Sequence, residues 1–492
     1  MSEPDRLDDY KRKRHFGDTP EPGGDSPVES PPLTATVPLS GVDADLLPRF
    51  VVQEHHARRL HWDLRLEHDG ALASWAVPRG IPADPARNHL AVRTEDHPLE
   101  YLEFHGDIPA GNYGAGSMTI WDRGRFEVHK WRDVEVMVTL HGERVQGKYV
   151  LFHTRGKDWM IHRMDPPQDP DFVPMPEDLQ PMMAATGKLP ARQQDWAFEV
   201  KWDGVRALAY VEGGRVRLTS RSGRDITSQY PEVRGLADQL GSRSAVLDGE
   251  IVAFGPDGRP SFQQLQRRMH VASERQIARF ARDAPVAYVA FDLLWLEGRS
   301  WIERPYEERR EQLLALELRG PTWQVPGHHV GDGDALLAAS RANHLEGIVA
   351  KRLGSPYCPG KRSKDWVKIK NVRRTSVVVG GWLPGEGGRS GRLGALCVGF
   401  HEDGELRYAG RVGTGFNEDE LDRLGRLLEP LARDTSPFSG RQPPKQAHHV
   451  EPSLVAEVEF IEWTQTRTLR APSYKGIRDD VEPVDVTWDP GA

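Results

Sequence analysis

The sequence predicts a multidomain protein of mixed α+β and β architecture, with a β-rich N-terminal domain, an α+β core and a small β-barrel at the C-terminal end. Three observations point there. At 492 residues the chain should hold about three domains of ~150 residues. LHWDLRLEHDG alternates apolar Leu60, Trp62, Leu64 and Leu66 with polar His61, Asp63, Arg65 and Glu67 before an Asp-Gly turn, the pattern of a strand with one polar face. SVVVGGWLPGEGGRSGRLGALCVGF, Ser376 to Phe400, reads as short strands joined by Gly-rich turns, as in a small barrel.

In chain order, residues 1–40 are rich in Pro, Gly, Ser, Asp and Glu without hydrophobic periodicity, and are expected to form a largely disordered arm. Within it the basic run YKRKRHF, Tyr10 to Phe16, fits either a solvated tail or an arm that grips phosphate. A β-rich domain follows over 41–165, closed by the strand-like Leu151 to Arg163. Proline- and acid-rich Met164 to Pro181 marks a semi-extended linker, set at 166–180. The core, 181–376, carries apolar strands such as Val246 to Phe254 and Val286 to Leu294 and a helix through Pro305 to Leu318; the small barrel takes 377–492.

Composition excludes several classes. No apolar run approaches the ~20 residues of a membrane span, and the polar N-terminus lacks a signal-peptide core, so the chain is expected to be cytoplasmic and to avoid membranes. Cys358 and Cys397 are its two cysteines, too few for a disulfide framework or a cysteine metal site. With a net charge of −8, any nucleic-acid surface must be local.

The core is organised around FEVKWDGVRALAY, Phe198 to Tyr210. Apolar residues flank Lys201 and an Asp-Gly turn follows at once, which puts the lysine at the mouth of a buried strand just before a bend. A free lysine titrates near ~10.4, so as a nucleophile it needs desolvation or a positive neighbour, such as Arg206 or a bound metal. Lys-x-Asp-Gly alone fits a surface lysine beside a hairpin equally well. Companions follow in set order, however: SRSGRD (Ser220 to Asp225), VLDGEIVAF (Val246 to Phe254), AYVAFDLLWLEG (Ala287 to Gly298), LEGIVAKR (Leu345 to Arg352) and DWVKIK (Asp365 to Lys370).

This series resembles the covalent nucleotidyltransferases, the ATP-dependent DNA ligases and RNA capping enzymes. With VEFIEWTQTRTLRAPSYKGIRDD near the C-terminus, it is most similar to the ligase domain of the bacterial end-joining ligases called ligase D. The resemblance implies an ATP-grasp-like ligase core followed by an OB-fold. It also implies that Lys201 carries AMP, that Arg206 and Arg221 hold ribose and phosphate, and that Glu250 meets the ribose and a metal-bound water. Phe291 would stack on adenine and Glu346 would bind metal. Lys368 and Lys370, two apart on one strand, would face the α-phosphate. Glu199 would contact the adenine edge. The C-terminal motif supplies Arg470, Lys475, Arg478 and Asp480, while Val481 stands where the family has a lysine that orients pyrophosphate. Basic residues cluster between Lys351 and Arg374; some would serve the nucleotide and the rest grip DNA, with affinity falling as salt rises.

The polar strand face has two readings from periodicity. His55 shares the parity of His61, Asp63 and Arg65, so an unbroken strand would gather two imidazoles, a carboxylate and a phosphate clamp, a set suited to a divalent transition metal. A wet sheet face has the same pattern. QEHHARRLHWDLRLEHDGALASWAVPRG and TEDHPLEYLEFHGDIPAGNYGAGSMTIWDRG resemble the 3′-phosphoesterase domain of ligase D, which is expected to be barrel-like. This likeness implies manganese on His55, His61 and Asp63, phosphate among Arg65, His97 and Tyr101, and Arg14, Glu21 and Glu95 as further site residues. His15, Arg79 and His89 depart from the family's residues at those positions; Arg79 keeps the charge, while the changes at His15 and His89 weaken the expected phosphomonoesterase step more than metal binding. GNYGAG, Gly111 to Gly116, is expected to be a hairpin loop rather than a phosphate cradle.

The function implied is sealing of DNA breaks with ATP and Mg2+ or Mn2+, after a Mn2+-dependent phosphoesterase heals 3′ ends, in non-homologous end joining. Nicked or broken DNA, the end-binding protein Ku and a polymerase on a separate chain are the implied partners, with a nucleoid-associated location. An RNA-modifying nucleotidyltransferase and a non-catalytic end-binding scaffold are the alternatives.

Overall fold

The computed structural model describes residues 6–24, 46–256, 258–269, 271, 273–343, 345–371, 373–385 and 392–489. The chain divides into two compact units, one of Met1–Gly333 with Val349–Val367 and one of Asp334–Ile348 with Lys368–Ala492.

The first unit begins with a closed antiparallel barrel. Strands Arg49–His56, Leu60–His68, Ala71–Val77, His89–Arg93, Asp158–Arg163, Gln146–Arg155, Glu135–Gly142 and Gly116–Arg132 pair in that order, and Arg49–His56 pairs again with Gly116–Arg132 to close the ring. The expected Asp-Gly turn is present: Asp69 and Gly70 both have positive φ, 48° and 77°, as a type I′ hairpin requires. Leu64, Leu66, Trp75, Phe126, Leu140 and Ile161 fill the interior.

Outside the barrel, a second apolar cluster of Tyr10, Val51, Leu72, Leu99, Tyr101 and Phe104 lies beside the first two strands. Asp63, Arg65 and Glu67 are consequently buried rather than wet, each depending on internal partners to offset lost hydration. Tyr10 opens the basic run for which the sequence left two readings, a solvated tail or a phosphate-gripping arm, within an arm expected to be largely disordered. Residues 6–24 instead carry the helix Asp8–Arg12, and Tyr10, Arg14 and Glu21 are buried, because the Tyr10 ring and the ion pairs of Arg6, Lys13 and Arg14 with Asp96 and Glu95 anchor a segment whose average composition is polar. Residues 25–40 of the expected arm lie outside the described residues, as does 386–391 within the Gly-rich turn.

The proline-rich strap is tied to the core. Trp295 donates to the Val173 carbonyl at 2.8 Å, Val173 N to Gly298 O at 2.6 Å, and Arg299 pairs with Asp169 at 2.8 Å. The core then builds an antiparallel sheet in which Val205–Glu212 lies between Arg215–Ser220 and Ala245–Ala253, with Val286–Leu296 beyond. The expected helix spans Tyr306–Ala315 and buries Tyr306, Arg309, Arg310 and Leu313.

In the second unit, Arg373–Pro384, Leu393–Glu402 and Glu405–Val412 form a meander, the helix Glu418–Leu428 follows, and His448–Phe460 returns beside Arg373–Pro384. Asn417 caps that helix through Glu420 N at 2.7 Å, and Leu421, Leu424 and Leu428 enter the core, the i, i+3, i+7 stripe of an amphipathic helix. Three strands, a helix and a returning strand are the OB-fold order expected.

Candidate active sites

His55, His61 and Asp63 do meet, though by a different route from the one expected. The chain reverses at residues 57–59, so no single strand carries them; His55 lies directly opposite His61 and Gln53 opposite Asp63 across an antiparallel pair. Opposed residues share a face. The imidazole centroids are 4.7 Å apart, and the ligand atoms of the three residues fall within 4.8 Å of one another.

Two carbonyls set the tautomers. A carbonyl only accepts, so His61 Nδ1 donates to Arg59 O at 3.0 Å and His55 Nε2 donates to Gly114 O at 2.9 Å, which leaves the lone pairs of His61 Nε2 and His55 Nδ1 toward Asp63. Their distances to its two oxygens are 3.6 and 3.5 Å. His55 Nδ1 is buried without a hydrogen-bond partner among the described residues. Burial opposes charge on Asp63, but the Arg65 guanidinium beside it outweighs burial and holds the carboxyl well below the usual range. An orphan imine nitrogen, a second one and an ionised carboxylate fit a divalent transition metal.

Arg65 continues the face inward. Its guanidinium donates to Gln53 Oε1 at 2.7 Å, Ser74 Oγ at 3.1 Å and Asp63 Oδ2 at 2.9 Å, and it lies 4.8 Å from the Tyr101 ring centroid. Tyr101 hydroxyl donates to Glu21. Arg14 donates to Glu21 at 2.6 Å and Glu95 at 3.1 Å, with His97 Nε2 at 3.3 Å. Burial first, then Arg65 and Arg14, lowers the His97 pKa well below its ordinary value. All the N-terminal residues singled out in the sequence are thus in one connected group. The departures stand apart: His15 is exposed, His89 donates to Gly80 O at 2.7 Å, and Arg79 lies 3.8 Å from Glu212 of the core.

Sequence reasoning missed two contributors. Gln53 is fully buried and also donates to the Tyr101 and Phe104 carbonyls at 3.0 and 2.8 Å, so it sets both Arg65 and the covering segment; its shared parity with His55 was the available signal. Gly114 orients His55 from the loop between Gly106–Ile108 and Gly116–Arg132, which is a hairpin as expected.

In the core, Lys201 follows the strand Trp196–Val200 and precedes Val205–Glu212. Gly204 of the Asp-Gly turn is required by close approach, since a Cβ there would lie 2.2 Å from Ile251 O. Arg206 pairs in register with Glu250, yet its guanidinium forks onto Asp248, both bonds 2.6 Å. Asp248 is also the acceptor for Tyr357 hydroxyl at 2.5 Å. Phe291 has Arg206 and Lys351 each 4.6 Å from its centroid, so a stacked adenine would share that ring with cations. Glu199 is buried, accepting from Tyr306 at 2.5 Å and pairing with Lys351 Nζ at 3.0 Å. Lys351 is no DNA-facing residue: it is 1% exposed and donates to Phe291 O at 2.9 Å. Arg221 stands exposed on the turn after Arg215–Ser220.

In the second unit, Lys370 pairs with Glu346 at 3.2 Å, and Lys368 lies two residues before Lys370 on the strand Arg362–Lys370. Arg470 meets Glu462 and Lys475 meets Glu459, both at 2.7 Å, while Arg478 forks onto Asp480 at 2.7 and 2.6 Å. Val481 packs, partly buried, against the apolar core of this unit.

Residues 53–153 match the DNA Ligase D 3′-phosphoesterase domain, 181–370 the ATP dependent DNA ligase domain, and 389–481 the ATP dependent DNA ligase C terminal region. The chain is 43% identical over 500 residues to the multifunctional non-homologous end joining protein LigD of Mycolicibacterium smegmatis, an alignment covering 99% of this chain and 62% of that protein. It is 35% identical over 546 residues to the LigD of Pseudomonas aeruginosa, covering 98% and 61%. The chain therefore spans about three fifths of the length of these relatives. Against a solved mycobacterial DNA ligase D complexed with ATP and MES it is 41% identical, covering 64% of this chain and 99% of that one, with a TM-score of 0.39. Likeness to the three domains in the same order, with 43% identity to a LigD protein along nearly the whole chain, means that the chain belongs to the bacterial end-joining ligase D family.

Proposed function

We propose that this chain heals and then seals DNA ends: a metal-dependent 3′-phosphoesterase and an ATP-dependent DNA ligase acting in non-homologous end joining. The observation that carries it is the orphan His55 Nδ1 in a two-histidine, one-aspartate cluster beside Arg65, in a chain whose core presents Lys201 in the ligase motif. The relatives named above do not favour an RNA-modifying enzyme or an inert scaffold.

In the barrel, His55, His61 and Asp63 would hold a divalent metal such as Mn2+, which would supply charge neutralisation at the scissile phosphate. Arg65, His97 and Tyr101 bind the phosphate oxygens; Arg14, Glu21 and Glu95 keep them in position. In the core, Lys201 attacks the α-phosphate of ATP, forming a P–N bond as pyrophosphate leaves. A DNA 5′-phosphate oxygen then takes the AMP from lysine, and the 3′-hydroxyl displaces AMP as the P–O bond forms. Glu250 and Glu346 would hold Mg2+ or Mn2+, which would neutralise charge in these in-line transfers, with Arg206, Arg221, Lys368 and Lys370 on phosphate and ribose and Glu199 and Phe291 at the base. Arg470, Lys475, Arg478 and Asp480 act in the first step. Ku and a DNA polymerase are its partners on broken DNA, in the cytoplasm at the nucleoid. Among the described residues no helix is long and apolar enough to cross a membrane.

The test is to incubate the protein with labelled ATP and divalent metal, then with a nicked duplex carrying either a 3′-hydroxyl or a 3′-phosphate. Label should appear on the protein and pass to DNA, and the 3′-phosphate nick should be sealed only with Mn2+ present. A protein that takes no label, or that labels with GTP instead, overturns the ligase assignment.

A further inference from the structure

We propose that Tyr113 is the base-stacking platform of the phosphoesterase site, holding the terminal nucleoside of a 3′ end while its phosphate is processed; this rests on the phosphoesterase activity proposed above. The loop that carries Tyr113 is fixed on both sides. Gly114 O accepts from the metal-cluster residue His55 at 2.9 Å, and a Cβ on Gly116 would lie 2.4 Å from His56 O, so the loop lies directly against the strand Arg49–His56. Asn112 Nδ2 donates to Asp18 O at 3.3 Å and to Pro109 O at 3.4 Å, which ties it to the N-terminal arm.

Between these anchors Tyr113 is 49% exposed. Lys13 Nζ lies 4.8 Å and the Arg14 guanidinium 5.4 Å from its ring centroid. Those two cations reach onward to the phosphate side of the site, Lys13 to Glu95 at 2.8 Å and Arg14 to His97 at 3.3 Å. One ring therefore adjoins the metal ligands through its neighbour Gly114 and the phosphate-binding group through its cations. Exposed aromatics beside cations are what a protein uses to take single nucleotides, the cation drawing the backbone and the ring accepting any base by its π-face. Nothing in the phosphate chemistry uses Tyr113, and a ring needed only to cover Arg14 would have no reason to stay half open.

The experiment uses the full chain and a primer–template duplex whose primer ends in a 3′-phosphate. Phosphate release with Mn2+ gives KM and kcat, and anisotropy of a fluorescent primer under chelator gives Kd without turnover. A second primer ends in an abasic 3′-phosphate nucleotide. Tyr113→Ala should raise KM and Kd about tenfold, the size of one lost base–aromatic stack, and leave kcat within about twofold; Tyr113→Phe and Tyr113→Trp should bind like the parent. On the abasic end, parent and Tyr113→Ala should be equal. If Tyr113→Ala lowers kcat alone, or penalises the abasic end as much as the natural one, the ring merely positions Lys13 and Arg14 and the proposal is overturned. A parent protein that releases no phosphate overturns the phosphoesterase activity instead, and the two Kd values still decide the stacking.

Discussion

In the barrel, the groups proposed for 3′ processing lie on one strand pair and the segments covering it, in one connected network in which His55 Nδ1 is buried without a hydrogen-bond partner among the described residues. Among the cations proposed to meet the nucleotide and the DNA, which fall in both compact units, several are already paired with carboxylates, Arg206 with Asp248, Lys370 with Glu346 and Lys475 with Glu459, while Arg221 is exposed. The first set is organised for a small ion and one phosphate. In the second, substrate phosphates must exchange with internal carboxylates. An unpaired buried charge costs several kcal/mol in general, so fully buried Asp248 keeps Arg206 as its partner, whereas a site finished by a metal can leave neutral nitrogens open.

The sharpest way to separate the two is to remove each reactive centre alone. Lys201→Ala should lower AMP labelling and nick sealing by at least about a thousandfold, because no other amine forms the P–N bond, with 3′ processing near the parent rate. Lys201→Arg should do no better, since a guanidinium stays protonated. Labelling that survives either change would break the assignment. Conversely, His61→Ala, Asp63→Ala or chelator should cut 3′ processing at least about a hundredfold and leave labelling intact. His56→Ala should fall within about twofold, since His56 is exposed and bonded to Glu54. Loss with His56→Ala alone would mean that the wrong strand face had been chosen.

Two smaller effects probe the paired charges. Burial first, against attraction from Glu199, lowers the Lys351 pKa; Glu199→Gln strips that partner and should cost about 3–5 kcal/mol, read from the denaturant midpoint. The double change with Lys351→Met should recover part of it, and no recovery would show that the two residues do not act as a pair. The least effect is expected at Val481. Val481→Lys should speed lysine adenylation a few-fold and leave sealing of a pre-adenylated nick unchanged, at roughly 1 kcal/mol of stability because Val481 packs on the apolar core. Equal change in both steps would show that another group, Lys475 for example, already serves the pyrophosphate.

From the sequence by itself came the strand carrying His61, Asp63 and Arg65, the turn at Asp69–Gly70, the bend after Lys201 and the short strands with Gly-rich turns that open the C-terminal barrel, all consequences of local periodicity and turn chemistry. Only the tertiary structure decided the rest. His55 joins His61 through the register of a hairpin, not through parity along one strand. The polar face is buried rather than wet because Tyr10, Leu99 and Phe104, from distant segments, cover the neighbouring apolar surface, and Arg14 and Glu21 come from an arm whose composition reads as structureless. Likewise Lys351, one basic residue among many in the sequence, is made an interior group by the surrounding Glu199, Phe291 and Tyr306. Period and turn are properties of neighbours along the chain, whereas burial and the partner of a charge depend on which remote segment packs there, and no local pattern encodes that.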